Sequence, residues 1–150
     1  MDITFTLRLP RDEVSVPIVR HLSREALTKL GVAPDCVADI ELGVTEACTN
    51  VLKHAKSENE QYNVEVQVDG ATCIVRVTDA GTGFDPGAAR VASESLSAEG
   101  GRGIRLMEAL ADNIQFVSKP EDGTVVFLEK RLSLEEGAVL LRLQAGTLED

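Results

Sequence analysis

The stretch Glu46-Ala47-Cys48-Thr49-Asn50-Val51-Leu52-Lys53-His54 sets an acid, an amide and an imidazole at successive four-residue steps. A helix turns by about 100° and rises about 1.5 Å per residue, so Asn50 stands roughly 40° round from Glu46 and about 6 Å along, with His54 a turn further. One helix face carries all three groups, whereas a helix turned to water usually fills such positions with Lys and Glu. Val37, Ile40, Val44, Ala47, Val51 and Leu52 recur at helical spacing behind that face. They extend the helix from Pro34 and Asp35 to about residue 55, with an apolar stripe that must lie against a sheet.

The strands of that sheet are legible on either side. Ile3, Phe5, Leu7 and Leu9 alternate with Thr4, Thr6 and Arg8 and end at Pro10, the period of a half-buried strand. Ser15 is placed to cap a first helix in which Val16, Val19, Leu22, Ala26, Leu27 and Leu30 recur until Gly31 stops it. His21 lies on this helix as an ordinary surface or core-edge residue. Tyr62, Val64, Val66 and Val68 alternate, Asp69-Gly70 makes a hairpin turn, and Cys73, Val75 and Val77 alternate again. Ile104, Leu106, Met107 and Leu110 mark a third helix, and a last hairpin folds around Pro120-Glu121-Asp122-Gly123. The order β, α, α, β, β, α, β, β predicts an α/β two-layer sandwich, a mixed and mostly antiparallel sheet with helices on one face. The opposite face is then either polar enough to stand in water or a place where a partner docks. Residues 1–132 make one domain, and the tail, residues 133–150, carries an apolar cluster, Val139-Leu140-Leu141, that periodicity assigns to no element.

Composition narrows the chemistry. The 150 residues are 43% hydrophobic and 27% charged, ordinary for a globular domain, and no apolar run approaches the about 20 residues that span a bilayer. The chain starts directly in strand-like alternation without a signal-peptide pattern, so a cytoplasmic protein away from membranes is expected. The formal net charge of −10 disfavours a phosphate backbone as partner, and no nucleic acid is expected. Cys36, Cys48 and Cys73 are odd in number and widely spaced, the pattern of small buried hydrophobes rather than of a disulfide framework or a zinc site.

Two glycine clusters follow the helix. In Asp79-Ala80-Gly81-Thr82-Gly83-Phe84 the glycines permit positive φ and close approach of backbone to a flat ligand, and Asp79, at a strand end, is placed to accept a hydrogen bond from an exocyclic amine such as that of adenine. Gly100-Gly101-Arg102-Gly103 opens the third helix, where free amides and the positive helix end suit an anion and Arg102 adds a charge-assisted contact. Residues 79–99, rich in Gly, Ala, Ser and Asp, read as a loop or lid. Neither a P-loop nor a dinucleotide fingerprint is present, so ATP would be held with a metal. Mg²⁺ accepts a neutral side-chain oxygen such as that of Asn50. Glu46, a turn earlier, is placed as general base for an attacking hydroxyl or water. His54 reads as a supporting group and Lys53 as a solvated helix residue.

These blocks, in this order and spacing, resemble the GHKL (histidine-kinase-like) ATPase superfamily with its Bergerat ATP-binding fold, and within it the anti-sigma-factor serine/threonine protein kinases. Glu46, Asn50 and His54 match the family's N-box, Asp79, Gly81, Gly83 and Phe84 its first glycine box, and Gly101, Arg102 and Gly103 its second. Thr124 matches a threonine near the adenine pocket. The resemblance implies a domain that binds ATP and Mg²⁺, forms a homodimer, sequesters a sigma factor and phosphorylates a serine on a STAS-domain anti-anti-sigma protein. A module that clamps its partner without phosphoryl transfer, or a switch kinase controlling a phosphatase, would share the same site.

Overall fold

The structure, a computed structural model, describes residues 2–54, 61–79, 109–119 and 123–149. Its elements are β1 (Asp2–Pro10), α1 (Ser15–Lys29), α2 (Pro34–His54), β2 (Gln61–Asp69), β3 (Thr72–Thr78), β4 (Asn113–Lys119), β5 (Gly123–Arg131) and α3 (Val139–Glu149). Ala109 and Leu110 are helical too, just ahead of β4. The five strands form one sheet in the order β1-β2-β3-β5-β4. Every pairing among these described strands is antiparallel, in keeping with the mostly antiparallel sheet expected of the two-layer α/β sandwich.

Alternation decides the faces. Tyr62, Val64, Val66 and Val68 of β2 and Cys73, Val75 and Val77 of β3 are buried, and they meet Val19 and Leu27 of α1 and Val37, Ile40, Val44, Ala47 and Val51 of α2 in one core. Each such Val, Leu or Ile contributes about 1.5–3 kcal/mol by leaving water, so the paired helices are held to the sheet by hydrophobic burial. Gly70, with φ 60°, takes the first position of the two-residue β2–β3 turn, where a II′ geometry demands glycine. Against this layer α2 comes unusually close: a Cβ added at Gly43 would lie 2.9 Å from Leu128 Cδ1 of β5.

On the opposite face, polar groups of β1, β2 and β3 satisfy one another. Arg76 Nη1 donates to Glu65 Oε1 at 2.6 Å and to Gln67 Oε1 at 3.2 Å, Gln67 Nε2 donates to Asp2 Oδ2 at 2.8 Å, and Arg8 Nε to Asn63 Oδ1 at 3.4 Å. Arg76 also lies over the Phe127 ring, 5.5 Å from its centroid. This cross-strand ladder shows how a sheet face without α1 and α2 is tolerated.

One expectation about a helix end needs revision. Ser15 is not the N-cap of α1. Val14 holds that position without a side-chain cap, and the Ser15 hydroxyl is drawn inward to the Asp12 carbonyl at 2.6 Å and the Tyr62 hydroxyl at 2.5 Å. A buried tyrosine hydroxyl needs a partner, and that demand takes precedence over capping. The tail, meanwhile, belongs to the packed structure. Ala33 N–H donates to the Ser133 carbonyl at 2.7 Å and Leu140 N–H to the Leu30 carbonyl at 3.0 Å, and Leu140 is only 1% exposed. Gly31, at φ 89°, makes room for this: a Cβ there would fall 2.4 Å from Ala138 Cβ.

Candidate functional site

Three anchors orient α2 along the sheet. Near its start the Cys36 thiol approaches the Arg131 carbonyl at 3.7 Å, Gly43 sits over Leu128, and Cys48 shares a hydrogen bond with Tyr62. Arg131 pairs with Thr72 and Leu128 with Val75, while Tyr62 lies one residue before Asn63, the partner of Thr78. The helix therefore runs alongside β3 in the same direction, and its second half comes out where β3 ends. Asn50 of α2 and Asp79, the residue after β3, are brought to the same end of the domain by this parallel course.

Both are buried where polar groups are costly. Asn50 is 7% exposed and Asp79 3%. The Asn50 Nδ2 is buried with no hydrogen-bond partner among the described residues, a deficit of about 1–3 kcal/mol unless a ligand supplies the missing partner. Glu46, half-buried, is a turn nearer the helix start. Along this stretch the Thr45 and Thr49 hydroxyls fold back onto the carbonyls of Glu41 and Thr45, each at 2.8 Å, so they do not compete for what Glu46 and Asn50 face.

Beneath the helix the core is closed to ionisation. Burial pushes the Cys48 thiol up to about 12, opposed by its hydrogen bond with Tyr62, and the Tyr62 hydroxyl also up to about 12, opposed by its bond to Ser15. Burial likewise raises the Cys73 thiol to about 12. All three cysteines are free and buried, as read from their spacing.

The structure thus brings Glu46, Asn50 and Asp79 to one end of the sheet. Gly81, Gly83, Phe84, Gly101, Arg102 and Gly103, together with the start of the third helix, lie outside the described residues. Thr124 stands at the head of β5 and His54 at the end of α2, with only their backbones described. What sequence reading did not find is a cavity of about 560 Å³ lined by Arg11, Glu13, Val16, Thr49, Leu52 and Lys53. The spacing of Thr49 and Lys53 from Glu46, i+3 and i+7, was the available signal. Arg11 and Glu13 gave none, because only the fold sets the β1–α1 turn beside α2.

No helix among the described residues is long and apolar enough to cross a membrane. A family model described as histidine kinase-like ATPase domain matches residues 9–130. The chain is 31% identical over 140 residues to the serine-protein kinase RsbW of Bacillus velezensis, covering 86% of each chain. It is 29% identical over 141 residues to that of Halalkalibacterium halodurans, covering 89% of this chain and 86% of the relative. Among solved structures it resembles one holding the RsbU and RsbW domains of a Mycobacterium tuberculosis protein, with a TM-score of 0.68 at 20% identity, over 89% of this chain and 33% of that one. The SiaB-SiaC complex of Pseudomonas aeruginosa matches with a TM-score of 0.57 at 11% identity, over 86% of this chain and 88% of that one. Both structural likenesses speak for the fold alone. With the family model spanning most of its length, the chain belongs to the histidine kinase-like ATPase domain family, among the serine-protein kinases of the RsbW group.

Proposed function

We propose that this protein is an ATP-dependent serine kinase and anti-sigma factor that phosphorylates a STAS-type anti-anti-sigma protein and sequesters a sigma factor, working as a cytoplasmic homodimer. The observation that carries the reading is the pairing of Glu46 with a buried Asn50 whose amide lacks a partner, beside the buried Asp79. Asp79 accepts the exocyclic amine of adenine. Asn50 holds Mg²⁺ through its side-chain oxygen, the amide turned so that oxygen and nitrogen exchange places. Mg²⁺ is an ion content with one or two protein ligands when phosphates and waters supply the rest. Bound Mg-ATP supplies the γ-phosphoryl group and neutralises charge as it moves. Gly81 and Gly83 let backbone close on the flat adenine, Gly101, Arg102 and Gly103 hold the phosphates, and Thr124 borders the adenine.

Glu46 then accepts the proton of the acceptor serine as its oxygen bonds to phosphorus and the bridging oxygen leaves with ADP. Glu46→Gln keeps shape and removes the base. Phosphorylation of a STAS-domain substrate should fall by about 10²–10⁴-fold, with ATP binding by calorimetry unchanged. Full transfer by that variant would refute the assignment, and a wild-type protein that binds ATP but labels no serine would leave a clamp without transfer.

A further inference from the structure

β1 is an edge strand. It pairs with β2 in an unbroken register from Asp2 opposite Asp69 to Pro10 opposite Gln61, and its other side meets no strand among the described residues. Edges are ordinarily shielded by a bulge, a proline or charges along the strand. Between Ile3 and Leu7 β1 carries none of these, which leaves a row of backbone donors and acceptors ready for another strand. An apolar flank hangs above it. α2 packs on β3 and β5 and α1 beside it on β1, with Ser15 tied to Tyr62 of β2. Arg20 reaches Glu41 of α2 at 3.7 Å, so that side of α1 faces α2. Ile18 and Leu22, two residues before and after Arg20, stand about 160° round the helix from it and therefore overhang the β1 edge. They are 50% and 41% exposed, and Ile3, Phe5 and Leu7 below them are only half-buried.

We infer that this edge docks a second copy of the chain, joined β1 to β1 antiparallel about a dyad at Phe5. It rests on the homodimer of the proposed function and not on phosphoryl transfer. β1 is complementary to itself about that residue. Ile3 stands opposite the second copy's Leu7 and Phe5 opposite its own counterpart on the apolar face, while on the other face Thr4 meets Thr6 and Asp2 meets Arg8, twice by symmetry. A dyad at Thr4 or Thr6 would set Asp2 against Thr6 or Pro10 and lose both charge pairs. A dyad between residues would turn apolar side chains to the polar face. Asp2 and Arg8 are both exposed, and their bonds to Gln67 and Asn63 use one atom of each. The helices fit as well. Strands lie about 4.8 Å apart, so helices centred between β1 and β2 of each copy stand about 10 Å apart across the dyad, a distance at which helices pack.

Sedimentation equilibrium on the full chain reads the association directly, and the wild type should dimerise reversibly. Asp2→Arg or Arg8→Asp alone sets like charges against each other twice and should raise the dimer dissociation constant about tenfold or more. The two together exchange the charges and should restore it to within about threefold. Ile18→Glu, at an exposed position, should raise it about a hundredfold or more. Each variant should keep the wild-type affinity for a non-hydrolysable ATP analogue, which also shows that it folds. A dimer that none of them weakens is built on another face, and the docking inference is overturned while the homodimer stands. A dimer weakened by Ile18→Glu yet indifferent to both charge reversals joins helices without pairing strands in this register, and the inference falls likewise. A wild type that stays monomeric overturns this inference and the homodimer together, whatever the phosphorylation assay shows.

Discussion

The orphaned amide of Asn50 makes a quantitative trade between stability and binding. The end of its amide placed as Nδ2, which is Oδ1 once the amide is turned, is buried without a partner among the described residues, a cost of about 1–3 kcal/mol in the free protein. Leucine has the same branching and the same number of side-chain heavy atoms but no donor, and is the better helix former by a few tenths of a kcal/mol, roughly. Asn50→Leu should therefore stabilise the ligand-free protein by about 1–3 kcal/mol, which for 150 residues raises Tm by roughly 2–12 °C. Asn50→Ala, which removes the donor without adding bulk, should shift in the same direction by less. Wild type should gain about 2.7 kcal/mol from Mg-ATP at a hundred times its Kd, and neither variant should gain anything. Urea denaturation and thermal melts with and without Mg-ATP read both halves. If both variants are less stable than wild type without ligand, or if either keeps the Mg-ATP shift, the amide is a structural group and the ligand assignment fails.

Other perturbations test the surroundings. Gly31→Ala places a methyl 2.4 Å from Ala138 Cβ at a φ of 89°, and the left-handed backbone and the overpacking together should cost about 2–5 kcal/mol; a loss below about 1 kcal/mol in urea titration would mean the tail is not docked as described. Asp79→Asn keeps the shape but brings a donor where only an acceptor serves adenine, so ATP affinity should fall and the preference over GTP vanish; an unchanged ATP to GTP ratio by competition would contradict the role. The Cys48 and Cys73 thiols are raised from 9.0 to about 12 in the fold. Between those values the unfolded chain binds fewer protons than the native one, so stability falls as pH rises above 9 by up to about 1.4 kcal/mol per unit for each thiol. Tyr62, raised from 10.0 to about 12, adds to the decline above pH 10. Cys73→Ala should flatten the slope measured by denaturation between pH 8 and 11, and an unaltered slope would count against it.

What the sequence disclosed and what it withheld follow from the range of the forces involved. The strands and α2 were legible because a period of two or of 3.6 is a local property of the backbone, and Glu46 and Asn50 were legible because a helix fixes their spacing whatever surrounds it. The capping role of Ser15 failed for the opposite reason. Its hydroxyl is claimed by Tyr62, 47 residues away, and no local rule weighs a cap against a distant buried phenol. Docking of the tail likewise depends on a close approach of Gly31 to Ala138, which turns an unplaced apolar triplet into the one buried leucine, Leu140, flanked by exposed Val139 and Leu141.

The same distinction explains how the site is positioned. Spacing alone says that Glu46 and Asn50 share a side of α2, but not what they face; that is decided by Gly43, whose missing side chain lets the helix settle onto Leu128, and by Cys48 and Tyr62, which pin the following turn. A methyl at Gly43 would need Leu128 Cδ1, 2.9 Å away, to move, and where that buried side chain cannot turn aside the helix near Glu46 shifts instead. Proton transfer requires hydrogen-bond reach, and misplacement by about 1 Å can cost about 10²-fold in rate. Gly43→Ala should consequently lower kcat for phosphoryl transfer more than it weakens ATP binding. Equal losses in both would mean that the glycine supports the whole domain rather than the placement of Glu46.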